Sequence, residues 1–280
     1  MLSYRHAFHA GNHADVLKHY VLSLVLAYMK QKDKPFWYID THAGAGLYAL
    51  DSGYAAQNAE FDNGIAKLMT ATTLPSTLAD FVTQIKHYNH GSLSFYPGSP
   101  MLAHDFLRAD DKMRLFELHP SDCKLLTANF ESHAKQVRIA QQDGFAGIKA
   151  YLPPPPRRAV VLIDPPYEDK QDYARVVSML KDSLSRFASG SYLIWYPLLQ
   201  RPEPAQMVGQ LMALGAPNWL HVTLSIQAPS AEGFGMHGSG LFIVNPPWTL
   251  AQELDASLPA LTKLLALDDS AHFSLSHEIA

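Results

Sequence analysis

Asp164-Pro165-Pro166-Tyr167 closes an apolar run, Ala159 to Ile163, and is the stretch of the chain best suited to chemistry. Proline fixes φ and offers no N–H, so strand pairing stops there and the backbone turns a rigid corner. That corner presents a carboxylate, the Pro165 carbonyl oxygen and the Tyr167 ring to whatever cleft lies beyond the strand. The three groups suit an amino group on a planar ring. The two oxygens accept the amino hydrogens, and Tyr167 stacks on the ring face. Methylation of an exocyclic nitrogen needs this, because the lone pair is delocalised into the base until the amine is drawn toward tetrahedral geometry. Adenine N6 and cytosine N4 are both amino groups conjugated to a ring, and the corner does not separate them. The bland alternative is a strand-ending turn without chemistry.

Three further strand ends give the corner its context. Phe36-Trp37-Tyr38-Ile39-Asp40 reads as a short buried strand, aromatic and β-branched, that runs into the glycine turn Thr41-His42-Ala43-Gly44-Ala45-Gly46. Gly44 and Gly46 let a backbone approach a ligand closely, as such turns do in nucleotide-binding α/β folds. The spacing is not G-x-G-x-x-G, so a dinucleotide pyrophosphate is poorly served and a dehydrogenase is disfavoured. Met113 to Leu118 reads as a second strand with Glu117 near its carboxyl end, where an acid commonly holds ribose hydroxyls. Glu117 follows the glycine loop by roughly seventy residues rather than about twenty, so an insertion must separate the two strands. A third strand, Val137 to Ala140, leads to Asp143-Gly144, either a plain turn or an acceptor for the amino group of a cofactor's adenine. Asp40, Glu117, Asp143 and Asp164 thus end successive strands, where open α/β sheets bind ligands.

With these marks in place, the chain resembles class I S-adenosylmethionine-dependent methyltransferases. More narrowly it resembles the ribosomal large subunit methyltransferase J family, which methylates N6 of an adenine in bacterial 23S ribosomal RNA. The resemblance covers nearly the whole chain. It rests on Met1 to His6, Phe8 to His19, Asp40 to Gly46, Tyr96-Pro97-Gly98-Ser99-Pro100, Glu117-Leu118-His119-Pro120, Asp143-Gly144-Phe145 and the Asp164 corner. Gly235-Met236-His237-Gly238-Ser239-Gly240 departs slightly from the family's usual residues. The resemblance implies S-adenosyl-L-methionine as cofactor, with contacts from His19, His42, Ser99, Glu117, Asp143, Gly144 and Asp164, joined by Lys18 and by the backbone at Gly44. It makes Asp164 catalytic, at a corner completed by Pro165 and Tyr167, and it turns Tyr4 toward the RNA. Arg5 and His6, on the same amino-terminal segment, are expected beside it, with Arg5 meeting a phosphate. The implied fold is a Rossmann-like, mostly parallel seven-stranded sheet in order 3-2-1-4-5-7-6 with helices on both faces.

The elements that must position these residues are legible as one domain, 1–280, with a small helical insertion at 47–95. A helix is expected from Asn12, as N-cap, to about Lys30, with Asp15 in a capping-box position and Lys18 and His19 over the cofactor cleft. The chain from Leu47 to Asn89 reads as mostly polar and helical. Ser99 reads as an N-cap with Pro100 at the first helical position. Beyond Tyr167, helices are expected near 172–187 and 205–214, strands at 192–196, 221–226 and 240–244, the last two as a hairpin, and a final helix after Trp248. Pro153 to Pro156 is a stiff connector.

Bulk properties set the remaining bounds. With 280 residues and 48% hydrophobic content, one sizeable core is expected. No apolar stretch approaches membrane-spanning length and no secretory signal pattern opens the chain, which points to a cytoplasmic enzyme acting as a monomer. The lone Cys123 excludes an internal disulfide and suits a reducing compartment. The formal net charge of −4 argues mildly against nucleic acid, but the amino-terminal end carries Arg5, Lys18, Lys30, Lys32 and Lys34 against Asp15 and Asp33. Two decoys stand out. Asn245-Pro246-Pro247-Trp248 imitates the corner but follows the last strand instead of the fourth. His6, His9, His13 and His19 lack a recognised metal-ligand spacing, so no metal is expected. A DNA adenine methyltransferase shares the corner's chemistry, yet no helix-turn-helix or other sequence-reading module is visible.

Overall fold

The computed structural model describes residues 6–51 and 55–279. Helix α1 (His13–Lys30) starts at Asn12, whose side chain accepts the N–H groups of Ala14 and Asp15, both at 3.0 Å. Its residues from His13 to Leu26 are buried on all sides, as expected of a helix whose polar face meets a site instead of solvent. Next come β1 (Trp37–Asp40), β2 (Leu47–Ala49), α2 (Ala55–Asn58), α3 (Ile65–Thr70), α4 (Ser76–Lys86), β3 (Phe95–Pro97), α5 (Ser99–His104) and β4 (Lys112–Phe116). They are followed by α6 (Pro120–Asn129), β5 (Val137–Ala140), α7 (Gly144–Gly147), β6 (Ala159–Ile163), α8 (Gln171–Arg186) and β7 (Ser191–Leu198). The chain closes with α9 (Pro202–Met212), β8 (Trp219–Ser225), β9 (Gly238–Val244), α10 (Leu250–Leu265) and β10 (His272–Glu278).

The main sheet has eight strands in order β10-β8-β9-β7-β6-β1-β4-β5. Counting only the strands of this sheet, its first seven reproduce the expected order 3-2-1-4-5-7-6. β1 pairs in parallel with both β4 and β6, aligning Asp40 with Leu115 and Leu162, so the site-bearing strands end at one edge. β9 runs antiparallel between β7 and β8. The period of two then sorts the strands' side chains onto two faces. Tyr38, Val160 and Leu162 join the core beneath α1 and α10, and Ile39, Val161 and Ile163 join the one beneath α8 and α9.

Three local expectations need correction. The sheet gains an eighth strand, β10, antiparallel to β8; its residues alternate between half-buried and exposed, a pattern too polar to announce an edge strand. Residues 47–49, at the start of the stretch expected to be helical, instead form a two-stranded antiparallel ladder with 95–97. Gly98, not Ser99, is the N-cap of α5, because Ser99 Oγ is spent on a 2.7 Å hydrogen bond to Asp40.

Two glycines pin the chain between β2 and β3 to the start of α1. Ile65 donates its N–H to the carbonyl of Gly11 at 2.9 Å, and Gly11 itself holds φ at +76°. A Cβ on Gly64 would stand 2.0 Å from that carbonyl oxygen and 2.7 Å from Asn12 Cα. Gly64→Ala is therefore expected to cost about 1–3 kcal/mol or more of stability, read as a lowered Tm. Gly209→Ala, in α9 with open space around it, is expected to leave Tm unchanged or raise it.

Candidate active site

The site is built on four strand ends. At the end of β1, Asp40 is fully buried and accepts Tyr38 OH at 2.7 Å, Ser99 Oγ at 2.7 Å and the N–H of His42 at 3.1 Å. Burial pushes its carboxyl up from the usual range, and these donors oppose the shift. The glycine turn follows, with Gly44 at φ +62° and Gly46 at φ +84°. The turn is braced on both sides: Ala45 N–H reaches Tyr48 OH at 3.1 Å, and Gly98 N–H reaches the Gly46 carbonyl at 2.7 Å.

Just beyond β4, Glu117 accepts the N–H groups of Gly44 at 2.8 Å and His119 at 2.6 Å. Burial raises its carboxyl, and the two amides counter that. Beyond β5, Asp143 caps α7 by accepting Phe145 N–H at 2.9 Å, and Arg175 holds its other oxygen. The Arg175 guanidinium also lies 4.2 Å from the centre of the Phe145 ring. A Cβ on Gly144 would fall 2.0 Å from the Thr41 carbonyl, so glycine there lets the ends of β5 and β1 close on each other.

At the end of β6, Asp164 is bound by a residue of α1. Lys18 Nζ lies 2.6 Å from Asp164 Oδ2 and 2.8 Å from Asp15 Oδ1. Asp15 in turn accepts His6 Nε2 at 2.8 Å and Gly11 N–H at 3.0 Å. Burial works against all three charges. Even so, His6, Lys18 and His19 hold Asp15 well below the usual carboxylate range, and the two carboxylates hold the Lys18 ammonium above the usual lysine range. Asp164 is pushed up by burial, with Lys18 opposing.

Two cavities meet at this carboxylate. The larger, about 310 Å³, is lined by Lys18, His19, His42, Gly44, Ser99, Glu117, Asp143, Gly144 and Asp164, all nine of the candidate cofactor residues. A second, about 210 Å³, lies on the other side of Lys18 and Asp164 and is walled by Tyr167, Trp195 and Arg201 among others. His6, Lys18, Asp164 and Pro166 border both.

The remaining candidates fall unevenly. Pro165 is buried and borders neither cavity. Tyr167 is only 2% exposed, in a left-handed conformation at φ +53°, with its hydroxyl donating to the Trp195 carbonyl at 2.7 Å and its ring against Tyr173. Tyr4 and Arg5 lie outside the described residues. Of the histidines, His9 meets Glu60 at 2.9 Å, and His19 Nδ1 meets Tyr96 OH at 2.8 Å. The decoy Asn245 spends its amide on the carbonyls of Ala188 and Gly190, both at 2.7 Å, and borders neither cavity. Sequence reading missed Arg175, Tyr48 and the charge role of Asp15. The i,i+3 spacings of Asp172 with Arg175 and of Asp15 with Lys18 hinted at two of them, while Tyr48, whose hydroxyl meets a backbone N–H, left no such mark.

The strand order and the acids at four successive strand ends define a class I methyltransferase fold. The chain belongs to the ribosomal large subunit methyltransferase J family. The model of the family described as "Ribosomal RNA large subunit methyltransferase D, RlmJ" matches residues 33–277. A protein of Escherichia coli K12 named ribosomal RNA large subunit methyltransferase J is 46% identical over 99% of this chain and 98% of its own. One of the same name from Haemophilus influenzae is 44% identical over 98% of both chains. A crystal structure of a Legionella pneumophila protein superposes with a TM-score of 0.89 at 34% identity, covering 96% of this chain and 98% of that one. The larger cavity fits the family's cofactor, S-adenosylmethionine. Its glycine turn leaves no room for a Cβ at Gly44, where Tyr48 OH would stand 2.2 Å away, and its acids offer acceptors for hydroxyl and amino groups beside the rings of His42 and Phe145.

Buried histidines set an acid limit, and His13 at the start of α1 is one of them. Burial lowers the pKa of His13 from 6.5 to about 4, with Glu60 and Asp15 opposing, and Nδ1 has no partner among the described residues. The unfolded chain then binds a proton that the native state refuses, so stability is whole above pH 6.5 and falls as pH drops toward 4. The loss over that window is on the order of 3 kcal/mol. His42, lowered to about 3, and His19, lowered by burial too, add to the same limb, so chemical denaturation at stepped pH should show their sum, and His13→Phe should make it shallower.

Proposed function

We infer that this protein transfers a methyl group from S-adenosylmethionine to N6 of an adenine in 23S ribosomal RNA. We take it to act in the cytoplasm as a monomer, on naked RNA or an assembly intermediate. The observation that carries the reading is the position of Asp164, on the seam between the two cavities and fixed there by Lys18 at 2.6 Å.

In this reading Lys18, His19, His42, Gly44, Ser99, Glu117, Asp143, Gly144 and Asp164 hold the cofactor, which supplies a methyl group on a positively charged sulfur. The chain's own part is positioning. Lys18 takes up Asp164 Oδ2 and leaves Oδ1 without a donor among the described residues, as an acceptor for an amino hydrogen. An amino group so held has its nitrogen lone pair turned away from the carboxylate and toward the larger cavity. Asp164 need not be a strong base, since the proton leaves readily once the nitrogen is alkylated. Pro165 and Tyr167 fix the corner, Tyr167 through its hydroxyl on Trp195. Tyr4 is proposed to stack on a base, Arg5 to meet a phosphate, and His6 to stand at the shared rim.

A target base must leave its stack to enter the second cavity, at a cost of a few kcal/mol that falls if it is already unpaired. Looped or single-stranded RNA is therefore the favoured substrate form. Asp164→Ala is expected to lower turnover by ~10²-fold or more at saturating cofactor, measured as labelled methyl entering a 23S fragment. Asn245→Ala should leave turnover unchanged. Near-normal turnover of Asp164→Ala would remove the corner from the mechanism, and mass spectrometry of ribosomal RNA from a strain lacking the gene should show one methyladenosine missing.

A further inference from the structure

The second cavity contains a cation that the methyl-transfer reading leaves idle. Arg201, the N-cap residue of α9, donates Nη2 to the Tyr167 carbonyl and to Tyr173 OH, both at 3.2 Å. Its guanidinium carbon lies 5.6 Å from the centre of the Tyr173 ring. Its Nε is buried without a partner, and among the described residues no carboxylate lies within 4 Å of it. Glu203, the acid that feels its charge, is itself held at 2.7 Å by Lys170. Lys18, in the same wall, is in the opposite state, saturated by Asp15 and Asp164. Arg201 therefore brings a guanidinium with no carboxylate within 4 Å among the described residues to a cavity that Asp15, Lys18 and Asp164 line elsewhere and Pro166, Tyr167, Trp195 and Met236 line beside it.

An anion would pair with this guanidinium, and a nucleotide brings one wherever it brings a base. A base aimed at Asp164 leaves its flanking phosphates at the cavity's wall. A guanidinium is the side chain whose planar fork best matches phosphate oxygens. We propose that Arg201 binds a backbone phosphate flanking the target adenine of the RNA. Arg201 also holds the carbonyl of Tyr167, a residue in the left-handed region that non-glycine residues seldom occupy. Phosphate capture and the shape of the Asp164–Tyr167 corner thus share one side chain. The inference rests on the RNA-methylation reading and adds to it a residue and the atom class it meets.

The test uses the whole enzyme and a 23S ribosomal RNA fragment that the wild type methylates, with affinity read by fluorescence anisotropy across a salt series. Arg201→Gln should weaken binding about tenfold and flatten the slope of log Kd against log salt by about one phosphate contact. Arg201→Lys should restore the slope, since it keeps the charge. Unchanged cofactor affinity and Tm would certify the fold of each variant. Should Arg201→Gln not fold, methylphosphonates placed one at a time beside the target adenine report on the wild type alone. One of them should cost the same tenfold, and that position should no longer distinguish Arg201→Lys from wild type. An unchanged salt slope in Arg201→Gln, or methylphosphonates without effect, overturns the phosphate role and leaves Arg201 as a brace for the corner. A wild type that neither binds nor methylates any 23S fragment overturns the function reading itself, a result distinct from the others.

Discussion

The site depends on a single ammonium shared by two carboxylates. Lys18 joins Asp15 of its own helix to Asp164 at the end of β6, and all three side chains are withdrawn from water. Burying such charges costs several kcal/mol per ion, which only close pairing recovers, and removing one partner from a buried pair typically costs about 3–5 kcal/mol. The cluster is therefore a poor source of net stability and a strong source of geometry. It sets the register of α1 against the sheet, because no other position of the helix pairs every charge. It also lies where the two cavities adjoin, since Lys18 and Asp164 border both.

Around that ion cluster, the acids at the strand ends brace the chain. Asp40 spends its oxygens on Tyr38, Ser99 and the His42 amide, and so ties β1, α5 and the glycine turn together. Glu117 receives the amides of Gly44 and His119, which fixes its carboxylate across the same turn. Asp143 is fixed by the Phe145 amide and Arg175. Each acid is thus pre-oriented by the protein, and ligand binding need not pay again for ordering it.

Much of this was legible from residue order, and the reasons differ by element. The central strand β6 announces itself because it is buried on both faces and reads as a continuous apolar run, Ala159–Ile163, ending before Asp164. α1 was legible through its cap and its helical spacing. β10 was not, because an edge strand with half its residues in water carries little apolar signal. Ser99 looked like a cap because a hydroxyl before proline usually is one, and only the arrival of Asp40 from a distant strand diverts it. Within the candidate site, the acids were visible as types at strand ends. Arg175, which meets Asp143 across 32 positions, was not, since pairing over such a separation leaves no mark in spacing.

The Lys18–Asp164 pair joins residues 146 positions apart. α1 also rests on β7 and β9, strands that end at Leu198 and Val244. A ribosome making this chain releases the helix long before it releases what the helix must cover. Until those later strands have emerged, an almost wholly apolar helix carrying a lysine and an aspartate has no sheet to lie on. The helix is thus the first major element to be synthesised and among the last to be buried. The second cavity has its full wall only once Met236, more than four-fifths of the way along the polypeptide, has been made, whereas the last residue to line the larger cavity is Arg175.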